Sequence, residues 1–135
     1  MRSTNLLVSL QDCKLFHHFT EDDFYTLLHY GKLRLFFQGD VVYKRGEFAK
    51  GLFCLIVSGQ VDIFTENGQL IRSMKDGEIL GEIGAINPRS YRTATVKATK
   101  PTEIFEWNVD LIKGQLPELV ERLTALAWKT SSNYT

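Results

Sequence analysis

The sequence has little of several things, and each scarcity removes a class of function. It has only two cysteines, Cys13 and Cys54, with no CxxC pair or ligand-like cluster, so neither zinc nor an iron–sulfur centre is indicated. Cys54 lies in an apolar run and reads as a buried free thiol, which fits a reducing, cytosolic setting. There is no excess of charge of one sign: sixteen basic residues balance sixteen acidic ones, against the basic surplus of a polynucleotide or anionic-membrane binder. No apolar stretch approaches a membrane span, and Leu6 to Leu10 is too short for the core of a signal peptide. Internal repeats and low-complexity tracts are missing as well. No Ser/His/Asp set, paired active-site carboxylates or nucleophilic cysteine stands out, so nothing recommends an enzyme. What remains is a soluble chain of 135 residues, long enough for one domain with its own core.

The chain changes texture twice. Thr20 followed by Glu21, Asp22 and Asp23 predicts a capped helix carrying Phe24, Leu27 and Leu28 on one stripe and ending at Gly31. From Lys32 to Trp107 short β-branched and aromatic runs are broken by glycine. Leu33–Phe37, Val41–Tyr43, Leu52–Val57, Val61–Phe64, Leu70–Met74, Thr93–Ala98 and Glu103–Trp107 read as strands, with a tight hairpin at Asn67-Gly68. Closely spaced strands of this kind indicate a sandwich or barrel. After Trp107 the pattern turns helical. Val109 to Leu116 is a short piece, and Pro117 opens a longer helix whose apolar face is Leu119, Val120, Leu123, Leu126 and Ala127. Three regions follow: a helical segment over 1–31, a β region over 32–107 and helices over 108–135. Trp107 and Trp128 read as core or packing residues, and His17-His18 as a solvated pair.

The chemistry concentrates in Leu80 to Val96, LGEIGAINPRSYRTATV. A Gly-Glu step opens an apolar helical turn, a polar loop follows, and Arg92 arrives just before a β-branched run. The first turn of a helix leaves backbone N–H groups without intrahelical partners, and these attract anions. Gly81 and Gly84 lack a β-carbon, so a ligand can approach the backbone closely. Arg92 can add a forked pair of charge-assisted hydrogen bonds to phosphate. Glu82 would be out of place beside a phosphate unless it accepted hydrogen bonds from a sugar hydroxyl, which together suggests a ribose-phosphate ligand.

These residues resemble the phosphate-binding cassette of the cyclic-nucleotide-binding domain, a family shared by catabolite activators, cyclic-nucleotide-dependent kinases and nucleotide-gated channels. Gly81, Glu82, Ile83, Gly84, Arg92, Thr93, Ala94 and Val96 meet its pattern, and the likeness runs from about Leu15 to Ala127. It implies a mainly β fold with flanking helices: an eight-stranded jelly-roll β-roll with short helices at each end. It also implies a sensor of cAMP, less readily cGMP. The spacing from Gly81 to Arg92 is similar to that of catabolite activators, which supports cAMP. The cyclic phosphate would dock on Arg92 and on the backbone N–H groups of Ile83 and Ala85, with Glu82 on the ribose 2′-hydroxyl.

Other readings stand beside these. Arg92 could be an exposed strand arginine paired with an acid, Glu82 a plain helix-start acid, and Thr93 a strand residue rather than a phosphate or guanine contact. Arg89 reads as a solvent-facing loop residue. Tyr134 is either a lid over the purine or part of a frayed terminus. In the family register the base contacts of the last helix fall near Asn133 to Thr135, which suggests a piece of a longer protein whose effector domain lies elsewhere. A homodimer is possible in that family. His17, His18 and His29 precede the roll, unlike the strand-borne metal ligands of cupins. The alternatives to a cyclic-nucleotide sensor are a ligand-free structural or interaction domain on the same fold, or a binder of cyclic dinucleotides supported only by Arg89 and Tyr91.

Overall fold

The computed structural model describes residues 6–87 and 89–134, with side chains through residue 130. Eight strands form two four-stranded antiparallel sheets. In the first the order is β1 (Lys32–Phe36), β8 (Thr102–Asn108), β3 (Leu52–Ser58), β6 (Ile79–Leu80). The second runs β2 (Val41–Tyr43), β7 (Thr95–Ala98), β4 (Gln60–Phe64), β5 (Leu70–Lys75). Helices flank this roll: α1 (Leu6–Asp12), a 3-10 turn (Lys14–Phe16) and α2 (Glu21–Tyr30) before it, α3 (Glu82–Ile86) within it, and α4 (Val109–Ile112) and α5 (Pro117–Tyr134) after it.

Side-chain alternation explains why the two sheets have different sequences. The first sheet is covered on both faces at its centre, so β3 is an unbroken apolar run rather than an alternating one, while the edge strand β1 stays largely exposed. Its odd positions, Phe53 and Leu55, join Phe105, Trp107 and the helices in one core, while Cys54 and Ile56 point with Ile104 into the space between the sheets. The second sheet has one wet face, and β4 alternates accordingly, with Val61 and Ile63 buried. One residue breaks the apolar rule between the sheets. Glu106 of β8 is buried there, where alternation places it beside Cys54 in the strand register.

The helix ends are chemically specified. Thr20 and Asp23 form a reciprocal capping box, the Asp23 N–H donating to Thr20 Oγ1 at 3.1 Å and the Thr20 N–H to Asp23 Oδ2 at 3.0 Å. Gly31 ends α2, yet its φ of −96° is open to any residue. The constraint is space: a β-carbon at Gly31 would collide with the Phe105 ring. The β4–β5 hairpin turns at Asn67-Gly68, with Gly68 at a φ of +80° and the Thr65 N–H donating to Gln69 O at 2.8 Å.

Several expectations need correction. Strand β6 has two residues, too few for a periodic signal, and α1 was visible in the sequence only as a short apolar run. Thr93 and Ala94 precede β7 instead of lying in it, and the Val109–Leu116 piece is helical only to Ile112 before a turn. Trp107 is buried, and its indole N–H donates to Leu27 O at 2.8 Å. Trp128 is 72% exposed, because the buried stripe of α5 is Leu119, Leu123 and Ala127, and the next residue is turned about 100° away from it. Cys13 and Cys54 are both buried free thiols. The His17 and His18 rings are exposed and stack on each other at 4.3 Å.

Gly31→Ala should therefore destabilise the fold by about 1–3 kcal/mol through overpacking against Phe105. Urea unfolding would register this as a lower midpoint at unchanged slope, and an unchanged midpoint would show that the ring can move aside.

Candidate functional site

Gly81 occupies a left-handed conformation, φ +85°, that turns the chain sharply from β6 into α3. A β-carbon there would approach Arg92 Nη1 at 3.0 Å and Leu52 O at 3.1 Å. At Gly84, one turn into the helix, a β-carbon would collide with Ala49 and come within 2.6 Å of Arg92 Nη1. The space kept free by both glycines is thus the seat of the Arg92 guanidinium.

Arg92 returns to this seat because its backbone is tied down. Its N–H donates to Glu47 O at 2.7 Å, its carbonyl accepts from the Gly46 N–H at 2.9 Å, and the Ala49 N–H donates to Ser90 O at 2.9 Å. The side chain then donates from Nη2 to Leu52 O at 2.8 Å, with longer contacts of 3.4 Å to the Ala49 and Gly81 carbonyls. Its Cζ lies 3.9 Å from the centroid of the Tyr43 ring. None of the five ion pairs among the described residues involves Arg92. Carbonyls and a ring face hold the cation in place but do not neutralise it, which leaves its charge for an anion.

Helix α3 adds dipoles at the same point. The Ala85 N–H, one of the two expected donors to an anion, is already given to Gly81 O at 3.1 Å. Glu82's own N–H bonds its carboxylate. Helix geometry leaves Ile83 and Gly84 as the first-turn amides without intrahelical partners.

Glu82 is 6% exposed, and its Oε2 is buried with no hydrogen-bond partner. Burial pushes its carboxyl above the ordinary range, opposed by its own N–H, the Thr130 hydroxyl, and the charges of Arg72 and Arg92. A buried acceptor with unspent capacity fits a hydroxyl donor.

A cavity of about 80 Å³ gathers these groups. Gly81, Glu82, Ile83, Gly84, Arg92, Thr93 and Ala94 line it together with Tyr43, Ser90 and Thr130. Ala85 does not: its side chain packs into the helical core. The side chain of Tyr134 lies outside the described residues, as do those of Asn133 and Thr135. Arg89 is exposed. A groove of about 850 Å³ between α5, the 3-10 turn and the β5–β6 connection shares Met74, Glu82 and Thr130 with the cavity. Sequence reasoning missed Tyr43, which no motif marks, and Thr130, whose only signal is its helical spacing from Leu123 and Ala127. Among the described residues no group of three or more His, Cys, Asp or Glu is placed to hold a metal, and no helix is long and apolar enough to cross a membrane.

Residues 33–116 match the family model of the cyclic nucleotide-binding domain. No curated protein matches the sequence. Among solved structures the chain is similar to the Thermus thermophilus catabolite activator protein, at 24% identity and a TM-score of 0.77, over 89% of this chain and 59% of that one. A cAMP-bound PfPKA-R matches at a TM-score of 0.83 and 16% identity, over 95% of this chain and 44% of its own. The regulatory domain of Toxoplasma gondii PKA, crystallised with cAMP, gives 0.80 and 16%, over 91% of this chain and 48% of its own. The chain thus spans about half the length of these structures.

Glu82 generates a pH prediction. Its folded carboxyl holds a proton more tightly than the unfolded one, so its favourable contribution is full below about pH 4.3 and is lost as pH rises through the raised value. Glu82→Gln keeps the shape without the charge. It should melt at a higher temperature than wild type near pH 8, with the gap closing towards about pH 4. A variant less stable than wild type across that range would show that the ionised carboxylate stabilises the fold.

Proposed function

The chain belongs to the cyclic nucleotide-binding domain family, and from that premise we propose that it is a non-enzymatic sensor of a cyclic purine nucleotide, cAMP in preference to cGMP. One observation carries the reading. The unneutralised guanidinium of Arg92 and the unpartnered carboxylate oxygen of Glu82 face one cavity, across the first turn of α3. A singly charged cyclic phosphate answers the first group and a ribose 2′-hydroxyl the second.

In this account the phosphate sits on the Ile83 and Gly84 amides and accepts from Arg92, with Thr93 and Ala94 at the rim. Glu82 ionises as the 2′-hydroxyl donates to it and as Arg92 holds the phosphate nearby. The cavity of about 80 Å³ is far below the roughly 300–1,000 Å³ of small-molecule pockets, so it takes only the phosphate–ribose end. The base extends towards the larger groove, past Thr130. Its arrival therefore requires α5 to shift, and binding would move the population of helix positions and pass the change to an attached effector domain. The β-roll of 32–107 is then the sensing unit and the helical segments of 1–31 and 108–135 the reporting parts, in a cytoplasmic protein whose family membership is compatible with a homodimer. The preference for cAMP rests on the spacing of Gly81 and Arg92, and the hydroxyl of the exposed Thr93 suits a phosphate or a guanine amine equally.

Calorimetric titration with cAMP and cGMP tests the reading. Saturable binding should weaken by roughly tenfold to over a hundredfold in Arg92→Ala, the worth of a charge-assisted contact. No heat and no thermal stabilisation at high concentrations of either nucleotide would favour a structural or interaction role instead.

A further inference from the structure

We infer that Tyr43 is a positioning residue for nucleotide binding, and that Glu106 and Arg34 fix it in that role. The inference rests on the assignment of Arg92 to the phosphate. It begins from two features that assignment does not use: a buried carboxylate between the sheets and a tyrosine at the end of β2.

Tyr43 is 5% exposed and Glu106 8%. The Tyr43 hydroxyl donates to Glu106 Oε2 at 2.8 Å, and Arg34 Nη1 donates to both carboxylate oxygens, at 3.1 and 3.2 Å. A relay of contacts therefore runs from Arg34 on β1, through Glu106 on β8, to Tyr43 on β2 and the guanidinium stacked on its ring. Burial pushes the Tyr43 hydroxyl well above its ordinary range, so it remains a donor at every physiological pH.

The relay does two things for Arg92. Anchoring the hydroxyl fixes the ring plane, and an O–H given to a carboxylate makes the ring more electron-rich, which strengthens its attraction for a cation. Arg34 and the Tyr43 hydroxyl also engage both oxygens of Glu106, the buried acid between the sheets. That carboxylate is thereby kept from pairing with Arg92, and the arginine keeps its charge for the ligand. A tyrosine serves both ends here: its face seats the cation and its edge occupies the acid.

Two measurements test this, one of them independent of nucleotide. In wild type, the Arg92 Nε–H should give an NMR signal displaced by the ring and slow to exchange with water. That signature should persist in Tyr43→Phe and vanish in Tyr43→Leu, or in Tyr43→Met if the leucine variant fails to fold. A signature unchanged by loss of the ring overturns the inference whether or not nucleotide binds. In an NMR titration with cAMP, Tyr43→Leu should weaken binding by roughly three- to thirtyfold, Tyr43→Phe by less, and Tyr43→Leu should add no loss in an Arg92→Ala background. Equal losses in both backgrounds would show that Tyr43 acts on the fold rather than through Arg92. Wild type that binds neither cAMP nor cGMP would overturn the functional reading and, with it, any role for Tyr43 in binding, leaving only the seat seen in the arginine signal.

Discussion

The structure of the site depends on how one guanidinium is held. Arg92 is fixed by a ring face and by backbone carbonyls, none of which carries a full negative charge. That choice of partners sets many other features. Gly81 and Gly84 are needed because any side chain would enter the guanidinium's space. The loop at 46–49 is needed because its backbone ties Arg92 in register. Tyr43 and Leu52 must come from different sheets, so the cation can be seated only where the roll brings the sheets together. An arginine paired with an acid would have been simpler to stabilise and would have had less charge left for a ligand.

The second constraint is Glu82. Burying a carboxyl with one oxygen unpartnered destabilises the fold, and a residue of that kind is retained most readily where a ligand completes it. Thr130 of α5 lines the same cavity as Glu82 and helps to lower the proton affinity of its carboxyl, so the site and the last helix meet there. Helix α3 packs against α5, so a ligand bound at Glu82 would change what Thr130 meets. In the proposed account this would be a local, chemical link between ligand and helix rather than a mechanical one.

The outline of the fold was legible in the sequence because its strands are short, β-branched and separated by glycine turns, and because Thr20 and Pro117 mark helix starts. The grouping of Gly81, Glu82, Gly84 and Arg92 around one cavity was legible because these residues are nearly contiguous: the helical turn, the loop and Arg92 lie within one stretch. Its supports were not. Tyr43 and Glu106 lie sixty-three positions apart and meet only after both sheets form. Ala85 looked like an anion donor, but the left-handed Gly81 starts the helix one residue earlier than a donor at that position requires, so its N–H is used within α3. Trp128 looked like a packing residue by type, and helical phase rather than hydrophobicity decided its exposure. Thr130 was passed over because family register pointed further along the helix.

The central claim is that Arg92 and the first turn of α3 together receive a cyclic phosphate. The most direct measurement is amide NMR of the labelled chain during titration with cAMP. The account predicts saturable shifts at the Ile83 and Gly84 amides and at the Arg92 side chain, all with one dissociation constant. Saturable shifts elsewhere on the chain while those three remain unmoved would contradict it.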